Sequence, residues 1–263
     1  MQGNAVDPAP RSSLQSRSAV ASYSGILGQK YQLVRLAYPH VDEFQDTIGR
    51  YVGMYRQPHP ESLALVEIGC GDGHTTDALL RARGDMHVAA VDIEPFMIES
   101  ARQSLAPWRD LRRYDLIVAD ALEYLENCPE SSIDVIASGW TLHNFTISYR
   151  SLFLMAAFRA LKPQGLFVNG DKYAQSPLVH HECLVLQMSR FFETYLPIGE
   201  YEFLREFVLH NLADESPSCM MWEDAAIEEM GKIGFQGLQV VYRKCMEAVI
   251  VAYKPADPVL RSD

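Results

Sequence analysis

The chain has 263 residues, enough for one α/β domain carrying an insertion. Its formal charge of −11 works against nonspecific attachment to nucleic acid or anionic lipid, both of which favour basic surfaces. No apolar run approaches the ~20 residues that span a bilayer. The five cysteines, at positions 70, 128, 183, 219 and 245, lack C-x-x-C spacing, which argues against a disulfide framework or zinc site and for a reducing cytoplasm.

Residues 1–24 are rich in Ser, Ala, Pro and Gln and contain no apolar h-region, so they read as a mobile tail and not as a signal peptide. Within 25–58, Leu33, Leu36, Ala37, Val41, Phe44, Ile48, Tyr51 and Val52 fall at mainly helical spacing interrupted by Pro39, which predicts a two-helix cap. From 59 to 175 strands and helices alternate. Strands are expected at Leu63–Ile68, His87–Val91, Leu116–Ala119, Ile133–Ser138 and Leu166–Gly170, and helices near His74–Ala82, Pro95–Leu105 and Ser151–Leu161. Such alternation predicts a mostly parallel sheet with right-handed crossovers. Residues 176–220 interrupt it with aromatic-rich helical patterning, broken at Pro197 and Gly199, which reads as a helical lid. In 221–263 a helix at Trp222–Ile233 precedes two β-rich runs, Phe235–Tyr242 and Met246–Tyr253, which predict an antiparallel hairpin and a seventh strand.

The run Val66-Glu67-Ile68-Gly69-Cys70-Gly71-Asp72-Gly73-His74-Thr75-Thr76 carries the most information. It reads as buried strand, glycine turn and helix start. Glycine permits positive φ and leaves no Cβ, so main chain can lie directly against a ligand. A dinucleotide fingerprint would need a glycine where His74 stands, and a phosphate loop would need a Lys-Ser/Thr pair; neither is present. Asp92 follows the second strand, where a carboxylate can accept from both ribose hydroxyls, with Ile93 placed to pack on a base. Asp120 follows the third. A strand-end Asp taken singly reads as a helix N-cap, but acids at successive loop ends read together as a site.

The spacing E-x-G-x-G-x-G resembles motif I of class I S-adenosylmethionine (SAM)-dependent methyltransferases, and Leu161-Lys162-Pro163-Gln164-Gly165 resembles that family's post-motif segment, with Gln164 in place of a glycine. The resemblance covers about Leu63 to Asn169. It implies a Rossmann-like class I fold, SAM as cofactor and S-adenosylhomocysteine as product. It also implies a cofactor site formed by Glu67, Gly69, Cys70, Gly71, Gly73, Asp92, Ile93, Met97, Asp120, Ala121, Gly139 and Trp140, in which Asp120 meets the adenine amino group. A narrower resemblance, carried by Trp140-Thr141-Leu142, Asp171-Lys172-Tyr173 and Gly234-Phe235, is to the carboxy-SAM synthase branch of tRNA wobble-uridine modification. There an arginine of the insertion grips the extra carboxylate of the modified cofactor. Alignment sets Glu193 at that place, which implies ordinary SAM.

The expected activity is methyl transfer to an O, N or C atom of a small apolar or aromatic metabolite. His143 is the candidate general base, because its near-neutral pKa suits the role and its loop borders the expected methyl position; a capping or packing histidine accounts for it equally. Tyr173 is a second catalytic candidate. With His180, His181, Phe191 and Tyr195 these residues are the candidate acceptor pocket, although an aromatic stripe at helical spacing is also what a simple core looks like. Adjacent histidines do not share a helix face and lack matching carboxylates, so no metal is expected. The chain admits a homodimer. Two alternatives stay open: a SAM enzyme of tRNA modification, and a SAM-binding protein that transfers no methyl group.

Overall fold

The computed structural model describes residues 23, 25–56 and 62–256. Tyr23 apart, the segment read as a tail lies outside the described residues. Seven strands form one sheet: β1 Leu63–Ile68, β2 Met86–Asp92, β3 Tyr114–Val118, β4 Ile133–Gly139, β5 Leu161–Lys172, β6 Gln236–Lys244 and β7 Glu247–Tyr253. Their order is β3-β2-β1-β4-β5-β7-β6. Strands β1 to β5 are parallel, whereas β7 runs antiparallel to both β5 and β6, as the C-terminal hairpin predicts. Sequence order reverses between β1 and β4, and an open α/β sheet binds its ligands beyond the carboxyl ends of the strands at such a point.

The helices are α1 Gly25–Gln29, α2 Val41–Met54, α3 His74–Ala82, α4 Pro95–Ser104, α5 Ala121–Asn127, α6 Ile147–Ala160, α7 Pro177–Tyr195, α8 Tyr201–Asp214 and α9 Glu223–Ile233. Period-2 alternation divides the strands between two apolar layers. Leu63, Leu65, Leu166, Val168, Val249 and Val251 pack with Ile48 of α2, Leu79 of α3 and Ile98 of α4. Val66, Ile68, Phe167, Ala248 and Ile250 pack on the other face with Leu125 of α5, Phe153 of α6 and Met230 of α9. The short helix α5 escapes sequence reading because its seven residues are too few for a periodic signal; its N-cap is Asp120.

Helices α7 and α8 form a hood with its own core. Phe191, Tyr195, Phe203, Leu204 and Phe207 pack against Leu27, Val34, Ala37, Tyr38 and Val41 of the N-terminal cap. Lys30 of the cap bonds Glu200 between the hood helices at 2.5 Å. Cys183 of α7 is joined by a disulfide to Cys245 in the β6–β7 turn. This bond runs against the expectation drawn from cysteine spacing and removes the compositional argument for a reducing compartment. Sequence spacing could not show the pair, because only the docking of the hood brings α7 to that turn. Among the described residues no helix is long and apolar enough to cross a membrane.

Candidate functional site

A cleft of about 1100 Å³, its solvent-filled mouth included, opens at the carboxyl ends of β1, β2, β3 and β4. The glycine turn forms its floor. Gly69 has φ +68°, and a Cβ there would lie 2.1 Å from the Thr141 hydroxyl. Gly71, at φ +53°, donates its N–H to Oδ2 of Asp92 at 2.9 Å, while Oδ1 of Asp92 accepts from Glu94 N–H at 2.9 Å. Asp92 thereby locks the first and second loop ends together while its carboxylate faces the cleft. Burial pushes that carboxyl upward, against the backbone hydrogen bonds that favour its charged form.

Asp120 also lines the cleft and does double duty. Its Oδ1 accepts from the Leu122 and Glu123 N–H groups, capping α5, and from the Tyr149 hydroxyl at 2.7 Å. Cys70, Gly69, Gly71, Ile93, Met97, Ala121, Gly139 and Trp140, all candidate cofactor residues, join it in the wall. Trp140, at φ +51°, stacks on Phe44 at 4.8 Å, so the cap fixes one side of the site.

Two expected cofactor residues lie elsewhere. Glu67 is wholly buried behind the turn, accepting from the Thr76 hydroxyl at 2.6 Å; it ties β1 to α3 and does not line the cleft. Burial raises its pKa to about 8. Gly73 is the left-handed N-cap of α3, and a Cβ there would press on Leu105 at 3.0 Å. Its glycine serves the backbone turn and helix packing.

The catalytic and acceptor candidates are displaced further. After Trp140 the chain makes a 3₁₀ turn over Leu142–Asn144, which brings Asn144 and Phe145 into the cleft wall and carries His143 to the opposite side. There His143 Nδ1 donates to Oδ1 of Asp171 at 2.5 Å. His143, Tyr173 and His180 do meet one another, but around a second, smaller cavity of about 270 Å³ that also touches Lys172, Asp214 and Glu215. Tyr173 accepts from the Asn169 amide at 2.7 Å, and burial holds its hydroxyl well above the usual phenol pKa. His180 bonds Glu215, and His181 is exposed on α7. Phe191 and Tyr195 belong to the hood core, with the Tyr195 hydroxyl donating to the Leu33 carbonyl. Glu193 is exposed and lies outside the cleft, so it gives no ground for choosing between SAM and its carboxylated form.

Several wall residues carry no motif. Tyr23 just before the cap and Tyr31, Val34, Arg35 and Gln45 within it reach the cleft, as do Asn144 and Phe145 from the β4–α6 connection and Tyr149 from α6. The Tyr31 hydroxyl sits over the glycine turn, 3.6 Å from where a Cβ on Gly71 would be. The helical pattern predicts that the cap covers the cleft, but periodicity cannot select which side chains point inward.

Residues 65–165 match the family model of a methyltransferase domain. Carboxy-S-adenosyl-L-methionine synthase of Aeromonas hydrophila is 25% identical over 156 residues, covering 58% of this chain and 59% of the synthase. Polyamine aminopropyltransferase of Stenotrophomonas maltophilia is 29% identical over 131 residues, covering 48% and 45%. The chain thus matches about half the length of these curated relatives. In fold it is similar to an O-methyltransferase family protein from Burkholderia thailandensis, with a TM-score of 0.57 at 12% identity over 93% of this chain and 68% of that one. Residues 65–165 thus carry a methyltransferase-domain signature, and the chain as a whole resembles the class I S-adenosylmethionine-dependent methyltransferases in fold, with a distant sequence resemblance to the carboxy-S-adenosyl-L-methionine synthases.

Proposed function

We propose that the cleft binds SAM and that the protein transfers its methyl group to an O, N or C atom of a small apolar or aromatic acceptor. One observation carries this reading: the Gly69–Gly71 turn, Asp92 and Asp120 converge on a single cleft at the sheet's switch point. Bare main chain at the turn suits the amino-acid part of the cofactor. The Asp92 carboxylate suits the paired ribose hydroxyls, and Ile93, Met97 and Phe145 offer an apolar bed for adenine.

SAM supplies an electrophilic methyl on a cationic sulfur, so the protein's task is alignment of the nucleophile and exclusion of water. Trp140, Tyr23 and Tyr31 give this chain aromatic walls suited to both. His143 is not the base in this reading, because it faces away from the cleft.

Calorimetric titration with SAM and S-adenosylhomocysteine tests the first half. Micromolar binding is expected, weakened 10- to 100-fold in Asp92→Ala, which loses the ribose partner and frees the Gly71 N–H. Absence of affinity for both ligands would refute the proposal. The second half is read by S-adenosylhomocysteine released with a panel of phenolic and amine acceptors. The likeness to the Aeromonas synthase supports one second reading, a SAM enzyme serving tRNA modification. Carboxylated SAM as product, or a steep salt dependence of tRNA binding, would favour it, although the charge of −11 weighs against the latter.

A further inference from the structure

Behind the cleft, the side chains of His143, His210 and Asp214 converge. One ligand-type atom from each lies within 4.8 Å of the others. His210 and Asp214 are one turn apart on α8 and so share a helix face, while His143 comes from the β4 loop. All three side chains are buried, and Nε2 of each histidine is enclosed without a hydrogen-bond partner. A buried polar atom left unpaired costs about 1–3 kcal/mol, so two orphaned imidazole nitrogens on side chains gathered about one carboxylate call for a physical explanation.

We propose that His143, His210 and Asp214 form a binding site for a first-row divalent cation, with Zn²⁺ the best match to two imidazole nitrogens and one carboxylate oxygen. Nε2 of His143 stands 3.6 Å from Oδ2 of Asp214. That is too long for a hydrogen bond. It is close to the ~3.4 Å that separates two ligands of a tetrahedral metal with bonds of ~2.1 Å. Asp171 accepts from the other nitrogen of His143, the carboxylate–histidine pairing that fixes the tautomer with its lone pair on Nε2. The smaller cavity is lined by both His143 and Asp214 and supplies an entry path separate from the cofactor cleft.

One resident charge opposes the ion. Lys172 Nζ donates to Asp214 Oδ2 at 2.8 Å and to Asn211 Oδ1 at 2.7 Å. Without metal it neutralises Asp214. A bound cation takes over that oxygen and leaves Lys172 on Asn211, with Glu247 as the further carboxyl in its surroundings. His210 also packs on Tyr23 at 4.5 Å, and Tyr23 lines the cofactor cleft. The ion therefore sits one side-chain layer behind the cleft wall at Tyr23, where it would set the position of that ring.

The test needs neither SAM nor an acceptor, so it stands or falls independently of the proposed methyl transfer. Metal-stripped full-length protein is titrated with Co²⁺ while visible d–d absorption is recorded, then with Zn²⁺ in competition. One equivalent is expected, with at least tenfold weaker binding in His210→Gln and in Asp214→Asn and unchanged binding in Asp92→Ala. Circular dichroism and the melting temperature identify any variant that has failed to fold. Absence of stoichiometric binding by the wild-type protein, which requires no variant, would overturn the site. So would wild-type affinity in folded His210→Gln together with folded Asp214→Asn.

Discussion

The glycine turn and the helical hood solve opposite problems. At the turn, function is written in main chain: Gly69 and Gly71 adopt positive φ, an Asp92 carboxylate braces them, and side chains are kept away. In the hood, everything rests on side chains: Phe191, Tyr195, Phe203 and Phe207 fill a core shared with the cap. Main-chain geometry that only glycine tolerates leaves a mark in the sequence that survives without a structure. Side-chain packing leaves a periodicity, which says that a face is buried but not against what.

Substitutions sharpen this contrast. The largest effect is expected for Gly69→Val, whose Cβ would fall 2.1 Å from Thr141 at a left-handed φ. A loss of roughly 4 kcal/mol or more in chemical denaturation is expected, together with loss of cofactor binding. A near-wild-type denaturation curve would show that the turn is softer than its geometry implies. Phe207→Ala removes a wholly buried ring from the hood core and is expected to cost about 3 kcal/mol. If hood and sheet are separable, the loss will appear as early protease cleavage and faster amide exchange in α7 and α8 while the sheet keeps its protection. Uniform loss of protection would instead make them one cooperative unit.

The smallest of these effects concerns Glu67 and depends on pH. Its folded pKa of about 8 lies above the ordinary carboxyl value, so the native state holds a proton that the unfolded chain releases near pH 4.5. Stability from this group is complete below the unfolded value and declines as pH rises toward 8. Glu67→Gln keeps a partner for the Thr76 hydroxyl and is expected to flatten that decline. The gain is expected to reach roughly 1–3 kcal/mol above pH 8, with little change at pH 4, read from denaturant midpoints across the range. Parallel pH profiles for the two proteins would refute the buried-proton account.

The same contrast explains what the sequence made legible. The mostly parallel sheet, the hairpin and the cleft floor follow from apolar runs, glycines and strand-end acids, and the structure gathers Gly69, Gly71, Asp92 and Asp120 around one cleft. His143 was misplaced for a local reason. Trp140 takes a positive φ and a 3₁₀ turn follows, so residues that read as one loop divide between two sides. Glu67 sits inside the motif yet points behind it, because alternate strand residues face opposite layers. The metal-type cluster leaves no motif at all, since His143 meets His210 and Asp214 only after the hood has docked.

The disulfide between Cys183 and Cys245 makes the two ends of the hood's first helix unequal in how they are held. It pins the early part of α7 to the sheet's β6–β7 turn, whereas the far end, at Glu200, is held to the cap by the partly exposed pair with Lys30. A covalent bond stands at one end, and an ion pair beside a packed core at the other. Such a partly exposed pair is worth about 1 kcal/mol at most, and salt weakens it further. The disulfide keeps α7 in register with the sheet, so the far end of the hood depends on the aromatic core it shares with the cap and only marginally on this ion pair.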